Sequence, residues 1–211
     1  FKDKDLSADE TWLDTPLKPD PKLLKLRVYS TQSTHKTLTS FRQGSMIHIA
    51  DDDYNHDIFL EAYYTHTSTS PNYQIIASLD VSRRQVDLEG YKLVKRTLQL
   101  ATYLRQHLQA SPLLQKYFRV LDNKELVGET YQSEGRPFVD SSSPYSQYPS
   151  HWDQCELVVD PTRVSVEISQ TGLDGQSLQQ LLINRYDIQV NKITKNTVLF
   201  IVNIGSTQET V

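Results

Sequence analysis

The sequence predicts an α/β protein, and three observations carry that prediction. Short runs of alternating or apolar character recur at residues 25–30, 45–49, 156–159, 164–168, 188–193 and 198–202, each of strand length. Between Leu88 and Leu108, by contrast, Leu88, Tyr91, Val94, Leu98, Ala101, Leu104 and Leu108 repeat at steps of three and four, the spacing of one helical face. Residues 174–186 read as a further helix set among the last strands.

Residues 1–22 form a polar lead-in, with three prolines close together at its end and little to bury. Residues 23–110 make up the first globular part. Its strands 25–30 and 45–49 bracket a polar turn, and the run from Asp51 to Asp57 reads as a solvated acidic turn with His56 on the surface. That run lacks the glycine and terminal glutamate of a calcium loop. Ser70-Pro71 reads as a helix start, with an N-cap serine and proline at the first helical position, continuing to about Arg84. The helix over 88–108 follows, with Lys92, Lys95, Arg96 and Arg105 largely on a solvated basic face, and Ser111-Pro112 marks its end. Residues 111–211 read as a small α+β domain, a helix packed on a mostly antiparallel sheet. Within it, residues 122–150 carry Gly, Pro, Ser and Tyr with no sustained period and read as a long loop.

The turn between the first two strands holds the chemistry. Ser33-Thr34-His35-Lys36 places a lysine among hydroxyls and an imidazole. A lysine amine attacks a carbonyl only without its proton, and a fold that fixes it at the end of an element prepares it for that role. Hydroxyl and imidazole donors beside it suit a phosphate carried by the same small molecule as the carbonyl, a combination that fits pyridoxal 5'-phosphate. Taken alone, the four-residue pattern is weak and favours an ordinary exposed turn lysine. Thr67, Ser68, Thr69 and Ser70 lie at or before a predicted helix N-terminus, where an anion is favoured; simple capping by one hydroxyl explains the same residues.

Four blocks then point one way. Residues 29–49, which include Ser33-Thr34-His35-Lys36, and residues 63–80 resemble the fold-type I, pyridoxal-phosphate-dependent decarboxylases of ornithine, lysine and arginine found in bacteria. So do residues 152–175, with Asp160-Pro161-Thr162-Arg163-Val164 as a strand entry. The fourth block, residues 190–207, carries Val190, Lys192 and Thr194 and then Leu199-Phe200 before Ile204-Gly205. The resemblance implies a PLP-dependent transferase fold of type I, with 23–110 as the end of a large cofactor domain and the 88–108 helix bridging to the small domain. It implies that Lys36 forms the imine with the cofactor, that Ser33 and His35 lie on the phosphate side, and that Thr67, Thr69 and Ser70 face the phosphate of a neighbouring subunit. A homodimer or higher oligomer is therefore expected.

The implied reaction removes the α-carboxylate of arginine, lysine or ornithine to give a polyamine precursor, with Lys36 and His35 as catalytic residues. An acid that selects the substrate's distal cation is expected, and Glu167, Asp153 and Glu156 qualify by charge alone. The family places the acid that pairs with the pyridine nitrogen well before the lysine, whereas Asp14 and Asp20 here lie in or beside a Pro-rich stretch. The chain is thus expected to begin and end inside a longer protein and, alone, to lack a complete active site. A non-catalytic subunit or scaffold on the same fold is the alternative, and an aminotransferase fits the last two blocks less well.

Composition narrows the remaining classes. A formal net charge of −4 and no basic stripe interleaved with aromatics argue against a nucleic-acid binder. The lone cysteine, Cys155, excludes an internal disulfide framework and fits a reducing cytoplasm. No zinc-type spacing and no apolar run long enough to span a bilayer is present, so neither a metal nor a membrane partner is expected.

Overall fold

Alternation fixes an inner strand of the sheet: Val164 and Val166 point to one side and Arg163, Ser165 and Glu167 to the other, and only the valines are fully buried. In the computed structural model, which describes residues 26–127 and 159–211, that strand lies inside a four-stranded antiparallel sheet. The described residues divide into two units, whose boundary falls between Tyr91 and Lys92.

The first unit opens with β1 (Val28–Gln32), a single helical turn α1 (Thr34–Thr37) and β2 (Met46–Ala50). β1 and β2 pair antiparallel from Val28↔Ala50 to Gln32↔Met46, so the lysine turn is the connection of a hairpin, as expected. A helix the sequence reading missed, α2 (His56–His66), follows. Its signal was available, since Phe59, Ala62 and Tyr63 stand at steps of three and four, although none of its residues is buried; Asn55 starts it by accepting the Ile58 N–H at 3.0 Å.

One helix then replaces the two expected over 72–84 and 88–108. α3 (Tyr73–Ala110) runs unbroken, because residues 84–88 contain neither proline nor glycine and Arg84 pairs with Asp87 along the helix at 2.7 Å. Its start also differs. Asn72, not Ser70, is the cap: Asn72 Oδ1 accepts the N–H groups of Gln74 and Ile75, and its carbonyl accepts the first helical bond from Ile76. Asparagine caps as well as serine, and the helix begins two residues later than Ser70 can reach.

In the second unit α3 buries Leu93, Thr97, Leu100 and Ala101, with Leu104 and Leu108 against the core. This face is rotated from the predicted stripe, since Leu88 is 68% and Val94 45% exposed. Threonine is tolerated on it because Thr97 Oγ1 donates to the Leu93 carbonyl at 2.9 Å. The helix stops at Ala110, where Ser111 caps the short α4 (Pro112–Gln115). β3 (Arg119–Leu121) and α5 (Asn123–Leu126) come next, so a helical turn occupies the start of the expected 122–150 loop. Residues 128–150 of that loop, the lead-in 1–22 and residues 156–158 of the strand expected at 156–159 lie outside the described residues.

After β4 (Arg163–Glu167), α6 (Gly175–Tyr186) starts on Asp174, whose Oδ1 accepts the Ser177 N–H at 2.8 Å. It ends at Asp187, in left-handed backbone at φ 54°. Gly175 is required by packing: a Cβ there would lie 2.1 Å from the Thr194 carbonyl oxygen. The strand expected over 188–193 shortens to β5 (Lys192–Ile193), and β6 (Thr197–Ile201) completes the sheet in the order β3-β4-β6-β5, all antiparallel. α6 packs against β5 and β6. The core joins Leu100 and Ala101 of α3 to Val164, Val166, Val198 and Leu178. Among the described residues no helix is long and apolar enough to cross a membrane.

Candidate functional site

Lys36 sits near the start of the hairpin connection, in a single helical turn of four residues, so local bonds must fix it. Its backbone N–H donates to the Ser33 carbonyl at 3.0 Å, and Leu38 N–H closes the turn on the Thr34 carbonyl at 2.9 Å. The decisive contact is His35. Both its backbone N–H, at 3.2 Å, and its ring Nδ1, at 2.9 Å, point at the Gly44 carbonyl. A carbonyl only accepts, so Nδ1 carries the proton and Nε2 is the ring atom left for a ligand.

Gly44 is buried and leaves no room for a side chain: a Cβ would come within 2.8 Å of Ser40 Oγ and 3.0 Å of Leu79 Cδ2. The residue before it, Gln43, takes left-handed backbone at φ 74° to make the bend. Around this frame Ser33 and Lys36 are exposed and His35 is half-buried. The Lys36 amine has no side-chain partner among the described residues, whereas Thr34, 4% exposed, keeps a buried Oγ1 without a hydrogen bond.

The expected hydroxyl run belongs to the same unit but is held separately. Thr67 Oγ1 donates to the Tyr63 carbonyl at 2.8 Å, and Ser68 Oγ accepts the Ser70 N–H at 3.1 Å. All four residues from Thr67 to Ser70 are exposed, and no described hydrogen bond joins them to the lysine turn.

The acidic turn is not simply solvated. Asp51, with a side chain 4% exposed, accepts a hydrogen bond from Tyr29 Oη at 2.7 Å, with Arg27 Nε at 3.6 Å, and Arg27 also pairs with Asp53 at 2.6 Å. The Tyr29 hydrogen bond, helped by the Asp53 N–H and Arg27, holds the Asp51 carboxyl below the usual aspartate range. Its stabilising effect is therefore full above the ordinary carboxylate pKa of about 4 and is lost as pH falls through the depressed folded value. Protection of the β1–β2 hairpin amides, taken relative to their intrinsic exchange at each pH, is expected to fall on acidification from about pH 6 to about pH 2, and Asp51→Asn to be poorly protected already at the upper end. A protection that does not change with pH in the parent chain refutes the coupling. His56 stays exposed, beside Tyr54, and among the described residues no group of three or more His, Cys, Asp or Glu could hold a metal ion.

Of the acids named for substrate selection, Glu167 is already engaged. Arg119 Nε donates to it at 2.7 Å and Ser169 Oγ at 3.1 Å, and the two, Arg119 first, keep its carboxyl ionised to lower pH than usual. Asp153 and Glu156, like Asp14 and Asp20, lie outside the described residues. Sequence reasoning missed Gly44 as the residue that receives His35; the run Phe41-Arg42-Gln43-Gly44, ending in a turn glycine, was the available signal.

Comparison with known proteins follows the same residues. A family model described as Orn/Lys/Arg decarboxylase, major domain, matches residues 15–210. The constitutive lysine decarboxylase of Escherichia coli (strain K12) is 27% identical over 195 residues, 84% of this chain and 26% of that protein. An arginine decarboxylase of Bacillus cereus is 25% identical over 176 residues, 83% of this chain and 32% of that protein. The crystal structure of the Francisella novicida lysine decarboxylase LdcF superposes with a TM-score of 0.64 at 26% identity, covering 92% of this chain and 27% of that one. The chain thus spans about a quarter to a third of the length of these relatives.

Proposed function

Because the chain belongs to the Orn/Lys/Arg decarboxylase major-domain family, we propose that it is the lysine-bearing part of a pyridoxal-phosphate-dependent decarboxylase of lysine, arginine or ornithine. The observation that carries this reading is Lys36 itself, an amine without a side-chain partner among the described residues, on a turn pinned through His35 to the Gly44 carbonyl.

The donor set fits the cofactor's aldehyde and phosphate. Lys36 would hold the aldehyde carbon, and the Ser33 hydroxyl with His35 Nε2 would face the phosphate, while the unsatisfied Thr34 Oγ1 leaves a polar atom in the same turn for a further contact. Bound pyridoxal phosphate supplies a ring that takes up the electron pair left when the α-carboxylate departs as CO2. The chain's own work is to hold Lys36 close, to let it yield to the substrate amine, and to carry a proton back to the α-carbon side. On this reading the acid for the ring nitrogen comes from the length of the relatives that this chain does not span, the fold is of type I, and the protein works in the cytoplasm. Thr67, Thr69 and Ser70, exposed at the α2–α3 junction, are assigned to the phosphate of a second copy in a homo-oligomer.

The test is to add pyridoxal phosphate to the purified chain, follow its visible absorption, reduce with borohydride and map the modified lysine by mass spectrometry. Preferential label on Lys36 is expected, followed by CO2 release from lysine, arginine or ornithine once the full-length polypeptide is supplied. Label spread evenly over exposed lysines, in this chain and in the full-length protein alike, favours a non-catalytic scaffold and overturns the proposal.

A further inference from the structure

The loop that receives His35 is itself fastened to helix α3. Thr39 Oγ1 donates to Gln85 Oε1 at 2.6 Å, and the Phe41 backbone N–H donates to Ser78 Oγ at 2.9 Å. Ser78 Oγ in turn donates to the Ile75 carbonyl at 2.7 Å, so the hydroxyl's own proton is committed and its lone pair is aimed at the loop. Beyond these two bonds the Gly44 backbone lies against Leu79, close enough that a methyl group there would meet Leu79 Cδ2 at 3.0 Å. Ser78 and Gln85 are seven residues apart, two helical turns, and therefore present one face to the loop.

The helix thus holds the loop at Thr39 and Phe41, the Gly44 N–H closes on the Phe41 carbonyl at 3.0 Å, and the loop's last residue sets the histidine. The path runs from Ser78 and Gln85 through residues 39–44 to the Gly44 carbonyl, then to the paired His35 donors, and so to the next residue, Lys36. We propose that Ser78 and Gln85 are positioning residues for Lys36: they hold the Gly44 carbonyl where it orients His35, and thereby fix the backbone from which the lysine reaches a carbonyl ligand. This rests on the reading of Lys36 as the cofactor lysine.

The two helix side chains never touch the ligand, so their effect is on placement. A long side chain hung from a mobile turn spends less time in the attacking geometry than one hung from a fixed turn, even when the amine is chemically unchanged. The Phe41 N–H and Thr39 hydroxyl both lie in exposed surroundings, so water replaces either lost bond at small cost to folding. A purely structural role would instead show itself in stability.

The experiment compares Ser78→Ala, Gln85→Ala and the conservative Ser78→Thr in the 211-residue chain. Three quantities are read: the rate at which Lys36 is captured by pyridoxal phosphate and borohydride, amide exchange over residues 33–44, and the unfolding midpoint. Either alanine variant is expected to slow Lys36 capture about five- to tenfold relative to the other lysines and to speed exchange by a similar factor, as loss of one holding hydrogen bond allows. The unfolding midpoint is expected to hold and Ser78→Thr to restore both rates. Unchanged capture and exchange in a folded Gln85→Ala or Ser78→Ala chain overturns the proposal, as does a fall in stability that alone accounts for the rates. If the parent chain captures no cofactor at Lys36, the cofactor reading fails while exchange over 33–44 still decides the positioning claim.

Discussion

Replacing Lys36 with alanine abolishes the borohydride-stable pyridoxyl adduct in any assembly of this chain that binds pyridoxal phosphate. The effect is all or none because an aldehyde is trapped as an imine only by an amine held against it, and the turn offers one amine, with no side-chain partner among the described residues. The neighbours do not substitute. Ser33 and Thr34 carry hydroxyls, and His35 Nδ1 is committed to the Gly44 carbonyl. Lys36→Arg is expected to fail equally, since a guanidinium stays protonated and forms no imine. It keeps the positive charge, so it separates loss of the covalent link from loss of electrostatic attraction for phosphate: equilibrium binding of the cofactor should persist in Lys36→Arg more than in Lys36→Ala. A pyridoxyl adduct of undiminished yield in Lys36→Ala, mapped to another residue, would sink the assignment.

The hairpin that carries this lysine was legible because two short alternating runs bracket a polar stretch, and α6 because Asp174 stands where a cap is needed and Asp187 where the helix ends. The strand β4 was legible from Val164 and Val166 alone, at the spacing of two that a half-buried strand demands. What the sequence hid has a common physical cause: polar side chains satisfied by partners far along the chain. Asp51 reads as a surface acid until Tyr29, twenty-two residues earlier, is seen to donate to it. Ser78 and Gln85 carry no local signal at all, since their importance lies in the loop residues Phe41 and Thr39 that they meet. The lysine motif itself was readable; the frame that holds it was not.

Arg105 is the strongest case, and Arg105→Ala is expected to destabilise the second unit by about 3 kcal/mol or more. The sequence assigned it to a solvated basic face, but its side chain is 2% exposed, and its guanidinium fork donates Nη1 to the Pro161 carbonyl at 2.7 Å and Nη2 to the Arg163 carbonyl at 2.8 Å. Those carbonyls are presented together because Asp160 folds the chain back, its Oδ1 accepting both the Thr162 N–H at 2.9 Å and the Thr162 hydroxyl at 2.6 Å. An alanine leaves the carbonyls without their shared donor and opens a cavity where the buried side chain stood, so the desolvation and packing losses add. Lysine reaches one carbonyl with a compact ammonium but cannot span both, and is expected to recover part of the loss. Methionine fills the volume without a charge to desolvate, and it too should fall between alanine and the parent. Urea unfolding followed by far-ultraviolet circular dichroism, together with amide exchange over Arg163–Glu167, gives the ranking; an alanine variant within about 0.5 kcal/mol of the parent would mean that water serves both carbonyls as well as the arginine does.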